Sequence, residues 1–280
     1  MKSHVHVFHT KHDFNPKLAW AAFQLLAEVD SDGISATNLH NVAKAVGSPL
    51  TQRSNLSKLL GSMQDVGLIE KTQDGVVLSE GGRALVKGIG GYEISFRAAV
   101  HCLYAWKWIW EQNPRVASPS WSYRQVLRQI LDSGSAGIDP DEIVLQLVFA
   151  AEEQFKAVKV SFSRSSVSGV TMWLESQALP LVQKEGHRIR CQNASTPMVD
   201  SMRLHLAALC GLNSGEVVLD DKNMQLLAES VLIRSDELVS SIEDFMHDSE
   251  EFLLISTTPN RVIFKDTKDP FIEWIVKSAV

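Results

Sequence analysis

The stretch LIEKTQDGVVLS, residues 68–79, limits what this chain can fold into more than any other. Two short runs rich in β-formers flank Asp74–Gly75, a dipeptide suited to the positive φ angles of a tight hairpin. Just upstream, SPLTQRSNLSKLLGSMQDVG spaces Leu56, Leu59, Leu60 and Met63 as one face of a helix that Gly67 ends. A lone hairpin is marginal in water, so this one must rest on helices. The preceding residues supply them. Asn15 caps a helix opened by Pro16, with Leu18, Ala22, Leu25, Leu26 and Val29 on one face. A second helix carries Leu39, Val42, Ala43 and Val46 and stops at Gly47. Ser79 caps a closing helix, EGGRALVKGI.

The plan repeats. A helix in SYRQVLRQILDSG, capped by Ser122, buries Tyr123, Leu127, Ile130 and Leu131. Asp139–Pro140 and two acids start the next. Val167, Val170, Thr171 and Leu174 form a third stripe, and LVQKEGHRIRCQ alternates around Glu185–Gly186 as a second hairpin. Between the two plans lies an aromatic helix, EISFRAAVHCLYAWKWIWEQ, whose Trp106 and Trp110 read as packing between domains. The last third offers a helix with Val199, Met202, Leu206, Leu209 and Cys210 inward, then two more helices. A hairpin turning at Pro259–Asn260 closes it, a third wing-like unit. The expected fold is mainly α with small β-hairpins, an α+β arrangement of tandem units. Its expected domains are 1–90, 91–195 and 196–280.

The stretch NLSKLLGSMQDVGLIEKTQDGVVLSEGGRAL, within 35–88, resembles the recognition helix and wing of winged helix-turn-helix transcription regulators of the antibiotic-resistance-regulator type. That resemblance implies a winged-helix fold and DNA binding in transcription regulation. The segment HCLYAWKWIWEQNPRVASPSWSYRQVL resembles uncharacterised proteins that accompany bacterial DNA-modification and phage-defence systems.

A helix at 50–66 in a major groove would offer Thr51, Ser54, Asn55 and Lys58 to bases and phosphates, with Arg53 at its flank and Lys71 on the wing. At about 100° per residue, Ser62 joins those polar residues on the solvent face. In the second unit Arg164, Ser165, Ser166 and Ser168 open a helix, and Lys184, His187, Arg188 and Arg190 line the hairpin. Such a strip suits phosphates, although charge on an edge hairpin also guards against sheet aggregation. Charge divides unevenly along the chain. Residues 1–92 carry 9 Lys and Arg against 8 Asp and Glu, residues 93–195 carry 11 against 10, and residues 196–280 carry 7 against 15. Double-stranded DNA therefore suits the first two units, and the acidic last third suits a protein partner or self-association.

No nucleotide-binding, hydrolase or zinc-protease motif is present, and the expectation is a protein that is not an enzyme and takes no cofactor. Asp266 and Lys268, with Glu250 or Glu251, make only the outline of a metal-dependent nuclease. The four histidines of SHVHVFHTKH (His4, His6, His9, His12) read as a strand entering the first domain, not a metal site. Three scattered cysteines and no membrane-length apolar run point to a cytoplasmic protein. The competing reading is an adaptor subunit of a larger DNA-handling complex, making no DNA contact. It would scatter its charge and expose apolar surface, for instance around Trp106 and Trp110.

Overall fold

The computed structural model describes residues 5–7, 14–29, 33–45, 53–88, 92–156, 159–192 and 199–278. The protein is mainly α, with small antiparallel strand pairs. After β1 (Val5–Val7) comes a unit of α1 (Pro16–Glu28), α2 (Ala36–Ala45), α3 (Arg53–Asp65), β2 (Ile69–Lys71), β3 (Val76–Leu78) and α4 (Glu80–Lys87). The Asn15 side chain accepts the Lys17 and Leu18 amides, satisfying donors that the first turn leaves free. Ser79 does the same for the Gly82 amide at α4. Ile69 pairs with Leu78 and Lys71 with Val76, so the loop is Thr72–Gly75 and not Asp74–Gly75 alone. Ile34 bridges to Val76, adding a rudimentary third strand on the far side of β3.

The aromatic segment forms α5 (Glu93–Glu111), buried almost continuously from Ser95 to Trp106. A second unit follows: α6 (Pro114–Ser133), α7 (Pro140–Phe155), β4 (Lys159–Ser161), α8 (Arg164–Glu175), β5 (Val182–Glu185) and β6 (Arg188–Cys191). Ile138 bridges to Ile189 on β6, as Ile34 does to Val76. The third unit has α9 (Val199–Leu212), β7 (Glu216–Val218), α10 (Asp221–Val231), α11 (Ser235–His247), β8 (Phe252–Ile255), β9 (Arg261–Phe264) and α12 (Pro270–Ser278). Its sheet order is β7–β9–β8, with the bridge of the first two units grown into a full strand. All three units thus run helix, edge pairing, helix, helix, hairpin.

One hydrophobic core passes through all three. α5 is its hub, packing on α1, α6, α8, α9 and α10. The first and third units meet where α12 lies on α4. A Cβ at Gly81 would come within 2.5 Å of the Trp274 ring, so only glycine lets the two helices approach this closely. Asp269 caps α12 by accepting the Phe271 amide at 2.9 Å and is paired with Arg203 of α9.

Several expectations change here. Ser62 is buried, not on a solvent face, and its hydroxyl donates to the Lys58 carbonyl at 3.2 Å. α3 packs on α1, α2 and α6, so more than one of its faces is covered. Ser122 is not a cap: α6 begins at Pro114 and runs through Pro119, and the Ser122 hydroxyl donates to the Ser118 carbonyl. Packing along α5 extends the helix past the point where local preference would start it. Part of that contact is polar. Ser120 Oγ accepts the Trp108 amide at 2.7 Å and donates to the Tyr104 carbonyl at 2.6 Å, bridging one rung of α5. The hairpin of the second unit pairs Glu185 with Arg188, so Gly186–His187 make the turn, one residue later than the alternation suggested. β1 does form, but runs parallel to β4 of the second unit instead of joining the first. His4, His9 and His12 lie outside the described residues.

Candidate nucleic-acid interface

The second unit gathers most of the predicted contact residues. Lys184 lies in β5 opposite Ile189, His187 sits at the turn, and Arg188 and Arg190 lie two apart on β6, so one hairpin carries all four, with Lys184 on one face and Arg188 and Arg190 on the other. Lys184, His187 and Arg188 are exposed, and Arg190 is half-buried. Arg164 and Ser165 stand exposed at the start of α8, with Ser165 Oγ 2.8 Å from Ser163 Oγ. The other two serines of that start differ: Ser166 is buried, whereas Ser168 is exposed.

Their acidic partners were not legible in the sequence. Arg164 forms a two-pronged pair with Asp141, which stands in the first turn of α7 where a helix favours negative charge. The hydrogen bond from Arg164 holds the Asp141 carboxyl below its ordinary range. Lys184 Nζ lies 2.7 Å from Glu175 Oε1, and Arg190 pairs with Glu185. Arg188 donates to the carbonyls of Ala136 and Gly137, at 3.0 and 2.9 Å. The stem of Arg190 crosses Gly137 so closely that a Cβ there would meet its Cγ at 2.5 Å. Arg188 and Arg190 therefore fasten the hairpin to the loop before α7 as well as carrying charge outward.

The first unit contributes less that can be described. Lys58 is exposed on α3 and Lys71 is exposed at the end of β2. Thr51 lies outside the described residues, as do the side chains of Arg53, Ser54 and Asn55. In the third unit Arg261 is likewise paired, with Glu216 at 3.1 Å. The nuclease outline is otherwise engaged. Burial would raise the Glu251 carboxyl, but hydrogen bonds from Arg203 and Thr267 outweigh it and hold the pKa below the ordinary value. Among the described residues no group of three or more His, Cys, Asp or Glu could hold a metal ion.

Sequence reasoning also missed a buried polar network around α5. Arg124 of α6 donates to Glu229 of α10 at 2.7 Å, to the Ala105 carbonyl at 3.0 Å and to Ser230 Oγ at 3.2 Å. Arg128 reaches the other Glu229 oxygen, also at 2.7 Å. Burial lowers the Arg124 pKa to about 10, which leaves it charged at neutral pH. His101 Nε2 donates to the Ser230 carbonyl at 2.9 Å, so its Nδ1 accepts from the Tyr123 hydroxyl at 2.8 Å. Burial pushes His101 down to about 4, against the raising effect of that carbonyl. His205 Nδ1 accepts from Trp106 Nε1 at 2.7 Å; burial first, then the nearness of His101 and Arg124, hold its pKa well below the ordinary value. Trp106 is buried in this network and Trp110 is half-buried, so neither forms the exposed apolar patch expected of an adaptor.

No family model matches the chain, and no curated protein matches it. Among solved structures, a crystal structure of SspB superposes with a TM-score of 0.58 at 14% identity, covering 99% of this chain and 87% of that one. The likeness is one of overall fold, and it extends over all three units. No helix among the described residues is long and apolar enough to cross a membrane.

Proposed function

We propose that this protein binds duplex DNA without catalysis, through its first two winged-helix units, of which the second makes the main phosphate contact. The observation that carries this reading is the set of exposed basic side chains in one unit: Lys184 and Arg188 on its hairpin, with His187 at the turn, and Arg164 at the start of its third helix. In a winged helix those are the wing and the third helix, the two elements that meet a groove and its flanking backbone. The repeated order of elements in all three units supports that assignment. The surface ion pairs do not oppose it. Exposed pairs contribute little, and a phosphate can replace Asp141 or Glu175 as partner. Lys58 and Lys71 of the first unit would add backbone contacts, and the acidic third unit would stay clear of DNA. The resemblance of residues 101–127 to companions of DNA-modification and phage-defence systems is in keeping with such a role.

The adaptor reading keeps one observation in its favour, an exposed apolar pair on α7. Titration of wild type and Arg164→Ala/Lys184→Ala with duplex DNA at 50 and 200 mM salt separates the two. Both side chains are exposed and ion-paired with surface carboxylates, so the variant should fold as wild type does. A DNA binder shows affinity falling steeply with salt, and the variant's log–log slope is shallower by about 0.9 per lost phosphate contact. Absence of binding at the lower salt overturns the DNA reading and leaves the adaptor.

A further inference from the structure

α7 covers its unit with Ile143, Leu147 and Ala151 buried inward. Its outer face is not the polar surface that such a helix ordinarily shows to water. Leu145 and Phe149 stand one turn apart, 62% and 72% exposed, the most exposed aliphatic and phenylalanine side chains among the described residues. At about 100° per residue, they lie between Glu152 on one side and Glu142 and Glu153 on the other. Lys156, where the helix ends, is a cation in the same sector. The face is thus a small apolar centre with a mainly acidic rim.

We propose that this face docks a protein partner that presents apolar side chains at helical spacing, flanked by lysine or arginine. Charge complementarity selects that occupant over the alternatives. A second copy packing antiparallel across a twofold between Leu145 and Phe149 would set Glu142 against Glu152 twice, while Asp141, opposite Glu153, is already paired with Arg164. Two like-charge encounters around two small apolar contacts would oppose such a dimer. Glu142, Glu152 and Glu153 would repel DNA phosphates from this face. A cationic amphipathic helix meets both features at once: its apolar ridge covers Leu145 and Phe149, and its basic flanks meet the three glutamates. The proposal does not depend on the second unit's hairpin contacting DNA.

The probe is a synthetic leucine–lysine amphipathic helical peptide, titrated by fluorescence anisotropy at 150 mM salt against the full chain. Its leucine–glutamate counterpart is the control. Both partner residues are on the surface, so Leu145→Ser/Phe149→Ser should keep the wild-type circular dichroism and melting midpoint. The expected result is binding of the cationic peptide only, weakened at least about tenfold by that double variant. Glu142→Gln/Glu152→Gln/Glu153→Gln should weaken it and flatten its salt dependence. Glu237→Gln/Glu243→Gln, on the acidic α11, should leave it unchanged. Equal weakening by the α11 variant, or none by the α7 variants, overturns the proposal. So does sedimentation showing a wild-type dimer that Leu145→Ser/Phe149→Ser dissolves, which would make a second copy the occupant. Loss of DNA binding in Arg164→Ala/Lys184→Ala with peptide binding intact supports a docking surface that stands apart from the DNA contact.

Discussion

Arg164–Asp141 at the start of α8 and Arg124–Glu229 beneath α5 are pairs of the same chemistry in opposite surroundings. The first is open to solvent on both sides, and the second has both side chains buried. At the surface, water solvates either charge nearly as well as the partner does, so the pair is easily exchanged. Beneath α5, each charge has lost its water, and only the partner and nearby carbonyls replace it. The comparison teaches that a guanidinium–carboxylate pair is an exchangeable surface contact in one place and a structural pin in the other, according to burial.

The sharpest way to break that comparison is to delete the buried acid. Glu229→Ala would leave Arg124 charged and without its carboxylate, costing about 3–5 kcal/mol of stability. Urea unfolding followed by circular dichroism reads this directly. A loss under about 1 kcal/mol would mean that water reaches the pair and that it behaves like the surface one. Replacing Arg124 and Glu229 by methionine should recover most of the loss, since paired removal leaves no buried orphan charge and Arg128, the other partner of Glu229, is open to solvent.

Acid tests the same interior through its histidines. The unfolded chain protonates His101 near 6.5, whereas the folded protein holds its pKa at about 4. Between those values the unfolded state binds more protons, so stability is intact above about pH 6.5 and falls as pH drops toward 4. At about 1.4 kcal/mol per unit, His101 alone accounts for roughly 3 kcal/mol, and His205 shifts in the same direction. Urea midpoints measured from pH 7.5 to 4.5 should decline, and more shallowly in His101→Gln. An unchanged slope in that variant would place the acid sensitivity elsewhere.

The smallest effect is expected at the surface pair. Arg164→Ala and Asp141→Asn should each leave the urea midpoint within error of wild type. Their influence should instead appear in DNA affinity, and with opposite signs. Arg164→Ala weakens binding by removing a phosphate partner, and Asp141→Asn strengthens it by freeing the guanidinium. A stability loss in Asp141→Asn as large as that of Glu229→Ala would erase the distinction between the two sites.

How much of this was legible in the sequence follows from the range of each interaction. The stripes Leu56–Met63 and Val167–Leu174, the caps at Asn15, Ser79 and Asp139, and the approximate hairpins depend on neighbours within a turn or two. Pattern therefore exposes them. Errors of register were small, as at Gly186–His187, because local alternation does not fix which residues make the turn. The cations of the candidate interface were equally visible, but Glu175, Asp141 and the carbonyl of Gly137 were not identified as their partners. Those contacts depend on how separate elements pack, and Arg188 lies 52 residues from Ala136.

By itself, the sequence determined a mainly helical chain with short hairpins, a repeated plan and a charge division that leaves the last third acidic. Periodicity, capping and composition are properties of segments, so they survive without a three-dimensional context. Tertiary structure alone decided that α5 is the shared core of three units, that β1 pairs with the second unit, and that Ser62 and Ser122 turn inward. It also decided which of two Arg–carboxylate pairs is a pin and which an exchangeable surface, and that Leu145 and Phe149 remain uncovered. Those outcomes rest on which water is removed from which side chain, and that is settled only when distant elements close over one another.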